Sequence, residues 1–202
     1  PGSEGEVRAP GLSQNPALSK SLFSQDHPYF TAAYPGAREA VERVLDPDGE
    51  HYTTIATERG KVRVHNGHGK GERQENIRVA SYFANKYGYK IDLLDNPDGV
   101  KSADSYNRSL DRFEEYKVNQ KENPTKSSID NLLRKAKDQA DHVVLWIDSD
   151  ISLGDLRSAI YSRVKRSDNI KSVRIVINGK DCVYTREQIT KDDFIIKQAD
   201  LK

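Results

Sequence analysis

The chain has 202 residues, of which 31% are charged and 35% hydrophobic, with a formal net charge of +1. That length allows one well-buried core with an appendage, or two small units. The composition excludes a membrane-spanning class, since no apolar run approaches the roughly 20 residues a spanning helix needs, and near-neutral charge excludes a global nucleic-acid footprint.

Residues 1–35 carry Pro1, Pro10, Pro16, Pro28 and Pro35 without sustained periodicity, and are expected to form an irregular arm or linker. Pro1-Gly2-Ser3 reads as a cloning scar, and no basic start followed by an apolar core marks a signal peptide. A short helix is expected over Gly36–Leu45, stopped by the turn Asp46-Pro47-Asp48-Gly49. His51–Ala56 and Lys61–His65 read as a hairpin around Glu58-Arg59-Gly60, and Asn66–Gly71 as a glycine-rich connection. The arm, the short helix and the start of the hairpin make up residues 1–60, and a second domain is expected over 61–202.

Within that domain Glu72–Tyr87 has helical spacing, with Ile77, Ala80, Ala84 and Tyr87 on one stripe and Gly88 as a left-handed stop. Lys90–Leu94 reads as a strand, followed by the turn Asp95–Gly99. Ser102–Tyr106 and Arg112–Val118 read as two strands joined near Asn107-Arg108-Ser109. A helix is expected from Ser127 or Ser128, with Ile129, Leu132, Leu133, Ala136 and Ala140 as its apolar positions. His142–Ile147 is apolar without alternation, the pattern of a strand buried on both faces. A helix over Leu153–Val164, a strand over Ser172–Ile177, a turn at Asn178-Gly179 and a strand over Cys182–Tyr184 complete the order. The fold class is therefore mixed α/β, a central mixed sheet flanked by helices. The single cysteine, Cys182, excludes an internal disulfide and fits a core position, and a reducing, cytoplasmic working environment is expected.

Chemistry is expected where Asp104 precedes Glu115-Tyr116-Lys117. Residues two apart on a strand share a face, so Glu115 and Lys117 project together while Glu114 and Tyr116 point away. A hairpin can bring Asp104 beside Glu115. Two adjacent carboxylates repel unless a cation lies between them, and hard oxygen ligands suit Mg²⁺ or Mn²⁺. The lysine can hold an attacking water or offset charge developing on a phosphate. A bulge would exchange Glu114 for Glu115 as the ligand. Seven basic side chains and one acid, Asp168, lie between Arg157 and Lys180. Arg163, Lys165 and Arg166, with Lys135 and Lys137, are candidates for holding a nucleic-acid backbone, or form a solvated face.

The order helix, strand, aspartate-bearing hairpin, helix, strand resembles the αβββαβ core of the PD-(D/E)XK nuclease superfamily, with Asp104, Glu115 and Lys117 on its motif positions and Ala103 where proline is usual. That resemblance implies an additional acid on the first helix, Glu72 or Glu75. Glu75 leans toward the sheet below Val79 and Phe83, or simply favours the helix amino terminus. It also implies a glutamine facing the site, for which Gln139 is the candidate; a structural bond to the sheet would explain the same residue. Lys126-Ser-Ser-Ile-Asp-Asn, Lys137-Asp-Gln-Ala-Asp, Val143-Val-Leu-Trp-Ile and Arg163-Val-Lys-Arg-Ser resemble the C-terminal nuclease domain of contact-dependent growth-inhibition toxins and of Mu F-like phage minor head proteins, and Gln25-Asp-His-Pro-Tyr-Phe the segment before it in the phage proteins. The resemblance implies a nuclease acting on tRNA or DNA in a bacterial cytoplasm, delivered to a rival cell or carried in a phage particle, with a cognate immunity protein as a partner. Two further readings stay open: a metal-independent ribonuclease using His65 or His68 as acid and base, and a non-catalytic head or interaction module with a nuclease fold.

Overall fold

The computed structural model describes residues 49–69, 71–96, 103–137 and 139–202. The expected arm, the Gly36–Leu45 helix, the Gln25–Phe30 segment and part of the Asp95–Gly99 turn lie outside the described residues. The chain divides into two compact units at Glu114/Glu115.

In the first unit, β1 (Tyr52–Ile55) pairs antiparallel with β2 (Lys61–His65), forming the expected hairpin. Helix α1 (Arg73–Tyr87) then carries the chain to β3 (Lys90–Leu93), which lies parallel to β2. Parallel neighbours require such a crossover. The apolar spacing of α1 explains its docking: Asn76, Val79, Ala80, Phe83 and Ala84 are its buried positions, and the helix packs on β2 and β3. Beneath it Val62, Val64, Ile91 and Leu93 are wholly buried. Gly88 ends the helix at φ 72°, and its N–H closes on the Ala84 carbonyl at 2.8 Å. Strand β3 continues antiparallel to β4 (Ser105–Asn107), and β4 to the first residues of β5 (Arg112–Asn119). The observed β4 is shorter than expected at its start. Asp104 sits just before it, and its carbonyl accepts the Leu94 N–H at 2.9 Å.

The second unit begins within β5 and places β5, β6 (His142–Ile147), β7 (Ser172–Ile177) and β8 (Lys180–Thr185) side by side in chain order. Strands β6 and β7 are parallel, joined by helix α3 (Leu153–Lys165), while β8 returns antiparallel through Asn178-Gly179, both at positive φ. Val143, Leu145 and Ile147 enter one core with Ile129 and Leu133 of α2 (Lys126–Ala136) and Leu156 and Ile160 of α3. Val144 and Trp146 are buried too, which accounts for the absent alternation in β6. A short helix α4 (Arg186–Ile189) and the segment reaching Leu201 were not foreseen; Phe194, Ile196 and Leu201 join the same core. Asp181 and Lys202 exchange backbone hydrogen bonds at 3.1 Å, tying this segment to β8. Among the described residues, helices α1–α4 and eight strands make a mixed α/β protein, as expected. None of these helices is long and apolar enough to cross a membrane.

Helix α2 starts at Lys126, because Thr125 takes the N-cap. Its side chain accepts the Ser128 N–H at 3.1 Å, and Ser128 Oγ accepts the Thr125 N–H at 2.8 Å. Thr125→Ala removes the first of these bonds and Ser128→Ala the second. Loss of this cap in Thr125→Ala is expected to cost about 1 kcal/mol of stability, read as a lower denaturant midpoint with an unchanged slope.

Candidate active site

Strand β5 runs through both adjacent glutamates and sends them opposite ways. Glu114 lies across from Ser105 in a regular antiparallel register. Its Oε2 takes the Arg112 Nε–H at 3.0 Å and Nη2 at 2.9 Å, and its Oε1 takes the Asn107 amide at 3.3 Å. Residues 112 and 114 thus share one face, as i and i+2 on a strand must. Arg112 and Asn107, which sequence reasoning passed over, give Glu114 a structural role in the first unit.

Glu115 and Lys117 share the other face. Glu115 is 1% exposed and Lys117 14% by side chain, with Nζ 3.2 Å from Oε2. A carboxylate so buried is costly without a charged partner, and the lysine supplies one. Lys117 Nζ also donates to Gln139 Oε1 at 3.2 Å. Gln139 was expected on the inward stripe of a helix running to Ala140. The helix instead ends at Ala136, and Gln139 lies in the turn beyond it, its N–H on the Ala136 carbonyl at 2.9 Å. Ala140, wholly buried, anchors that turn. An acid, a cation and an amide expected from sequence therefore meet within the second unit. The resulting group can hold and orient an ammonium toward an oxyanion.

The other predicted acids belong to the first unit. Asp104 is 2% exposed beside the start of β4. Glu75 is half-buried in the first turn of α1. The donors are hard oxygens, which suits a divalent cation of the Mg²⁺ type. Among the described residues no three His, Cys, Asp or Glu side chains gather into a cage. Carboxylate oxygens of this kind fit an ion that keeps most of its water and takes one or two carboxylates.

The basic segment is less available than its sequence density suggests. Arg163 grips Asp130 through Nε at 3.1 Å and Nη2 at 2.8 Å, and Arg166 reaches the same carboxylate at 3.2 Å. Hydrogen bonding from Arg163 holds the Asp130 carboxyl below its ordinary value, against an opposing effect of burial. Arg174 pairs with buried Asp181 at 2.8 Å, and Lys171 lies 3.5 Å from Asp141. Lys135, Lys165 and Arg166 remain exposed and Lys137 half-buried. Cys182 lies in the core, where burial pushes its thiol up to about 11 and removes it as a nucleophile.

The histidines divide similarly. His68 is 3% exposed, its Nδ1–H donates to the Leu94 carbonyl at 2.6 Å, and its Nε2 accepts from the Asn76 amide at 3.0 Å. Both nitrogens are committed in the neutral form, so this ring cannot shuttle a proton to a substrate. His65 Nδ1 accepts the Gly67 N–H at 3.0 Å. Burial holds the His68 pKa below its ordinary 6.5, although the bond to Leu94 pulls the other way. The unfolded ring takes up its proton near 6.5 while the folded ring resists. Stability from the neutral ring is therefore present above that value and is lost as pH falls through it. Nitrogen NMR should show an Nδ1–H tautomer that does not titrate near the ordinary value; a normal midpoint there would contradict the assignment.

No protein-family model matches the chain, and no curated protein matches it. Among solved structures the chain is similar to the "CdiA-CT/CdiI toxin and immunity complex from Burkholderia pseudomallei", at a TM-score of 0.39 and 16% identity, covering 58% of this chain and 89% of that one.

Proposed function

We propose that this chain is a metal-dependent nuclease of the PD-(D/E)XK type that hydrolyses phosphodiester bonds in tRNA or DNA. The observation that carries the reading is the Lys117 ammonium held at 3.2 Å by both buried Glu115 and Gln139. An ammonium so positioned needs little reorganisation to meet a developing negative charge. Lys117 donates a hydrogen bond to a non-bridging oxygen of the scissile phosphate and offsets the charge that accumulates as water adds to phosphorus. Glu115 and Gln139 fix its direction. Glu115 would hold Mg²⁺ or Mn²⁺, which when bound lowers the pKa of water and neutralises phosphate charge; the sequence resemblance implies Asp104 and Glu75 as its further ligands.

The sequence resemblance to contact-dependent growth-inhibition toxins supports a toxin setting, with action in a bacterial cytoplasm and a cognate immunity protein as partner. Lys135, with Lys165 and Arg166 of the basic segment, is exposed on the second unit and available to a phosphate backbone, Arg166 while also bonding Asp130. Arg163 acts there by holding Asp130, and so by shaping the surface.

Purified protein with Mg²⁺ or Mn²⁺ should cut plasmid DNA or total tRNA, and EDTA should stop it. Lys117→Ala should lower the single-turnover rate about 10²- to 10³-fold, the loss typical of one oxyanion donor. Circular dichroism checks that the variant still folds with its buried carboxylate deprived of the lysine. Cleavage at the wild-type rate by Lys117→Ala, or cleavage indifferent to EDTA, contradicts the reading.

A further inference from the structure

Cations far apart in the sequence are drawn to one edge of the first unit. The Lys61 N–H donates to the Tyr89 carbonyl at 3.0 Å, the Arg108 N–H to the Lys90 carbonyl at 2.8 Å, and the Lys90 N–H to Ser109 Oγ at 2.9 Å. Arg59 Nη1 donates to the Lys86 carbonyl at 3.0 Å. These bonds knit the start of β2, the end of α1, the start of β3 and the β4–β5 turn together. Arg59, Lys61, Lys86, Lys90 and Arg108 thereby share an edge.

Lys61 and Lys90 are register partners in the parallel β2–β3 pair, so both leave the same face of adjacent strands. Like charges placed opposite one another cost stability. Both lysines are exposed, and among the described residues neither has an acidic partner at ion-pair distance. Of the nearby acids, Asp92 is held by Arg63 at 2.7 Å and also lies 4.0 Å from Arg108, Glu114 is held by Arg112 and Asp111 by the Tyr106 hydroxyl, while Glu58, beside Arg59, is exposed. Aromatic surface adjoins the cations. Tyr87 is 38% exposed and stacks on Tyr89 at 5.1 Å and 24°, with Lys86 Nζ 5.5 Å from its ring centre. An acidic protein would use the cations alone. Cations beside an exposed ring suit a phosphate backbone carrying unstacked bases.

We propose that this edge binds single-stranded nucleic acid, with phosphates on Lys61, Lys90 and Arg59 and a base on Tyr87. The choice of polyanion rests on the nuclease reading and deepens it by naming where the first unit would grip the strand. Along β3, Lys90 and Leu94 are four residues apart, about 13 Å, and Leu94 is bonded to Asp104. The edge and Asp104 therefore lie toward opposite ends of β3, and a strand bound at this edge leaves Asp104 uncovered.

Binding is measured by fluorescence anisotropy with a labelled single-stranded oligonucleotide and its duplex, using the full chain in EDTA so that cutting plays no part. Lys61→Ala/Lys90→Ala should lower the slope of log K against log salt by about 1.4, two contacts at about 0.7 each, which is about 25-fold in affinity at 0.1 M salt. Tyr87→Ala should weaken single-strand binding about tenfold and leave the duplex nearly unchanged. An unaltered slope in the double variant overturns the proposal. So does competition by polyglutamate as strong as by nucleic acid, with Tyr87→Ala silent, which would assign the edge to an acidic protein. If no cleavage is ever seen, these binding results still stand or fall alone.

Discussion

A carboxylate that is 1% exposed, with an ammonium 3.2 Å away on the same strand face, is the constraint on which the site depends. Breaking such a buried pair by removing one partner typically costs about 3–5 kcal/mol, because the remaining charge is left uncompensated. The pair therefore helps to hold β5 in its register. A slip of one residue would turn Glu114 and Tyr116 toward Gln139 and send Lys117 to the opposite face. Glu114 resists the same slip from its own side through Arg112 and Asn107. Two neighbouring glutamates of identical chemistry thus take different work, one structural and one at the candidate reaction centre.

The placement of Gln139 extends that constraint to the core of the second unit. Thr125 and Ser128 set where α2 begins, Ile129 and Leu133 seat it on β6, and its end at Ala136 sets the turn that carries Gln139. Charge is distributed by the same folding logic. Asp130, Asp141 and Asp181 reach the basic segment and neutralise it locally, while Lys61 and Lys90 are brought together without acidic partners among the described residues.

The fold was legible wherever periodicity or punctuation was strong. The β6 and β7 boundaries coincide with their apolar runs, Gly88 stops α1, and Asn178-Gly179 turns β7 into β8. Alternation along β5 was enough to place Glu115 with Lys117. Gln139 was legible as a partner but not as a turn residue, since helical spacing continues in the sequence past the point where the hydrogen bonding changes. The burial of His68 was invisible because its partners, Leu94 and Asn76, are remote and one is a backbone carbonyl. Window counts of charge failed for a related reason: they cannot see carboxylates supplied from other elements, as Asp130 is to Arg163. The same blindness hid the edge formed by Arg59, Lys61, Lys86 and Lys90, whose members are dispersed in sequence. Short polar segments such as α4 lack enough length for a periodic signal.

The central claim is that Glu115 and Lys117 act as one unit on a phosphodiester. It is tested most directly by single-turnover cleavage with Glu115→Gln, Lys117→Met and the double variant, each normalised to folded protein. If the pair works together, the double variant should be no slower than the worse single, because either change alone already disables the unit. Losses that multiply, with each residue acting independently of the other, would contradict the account.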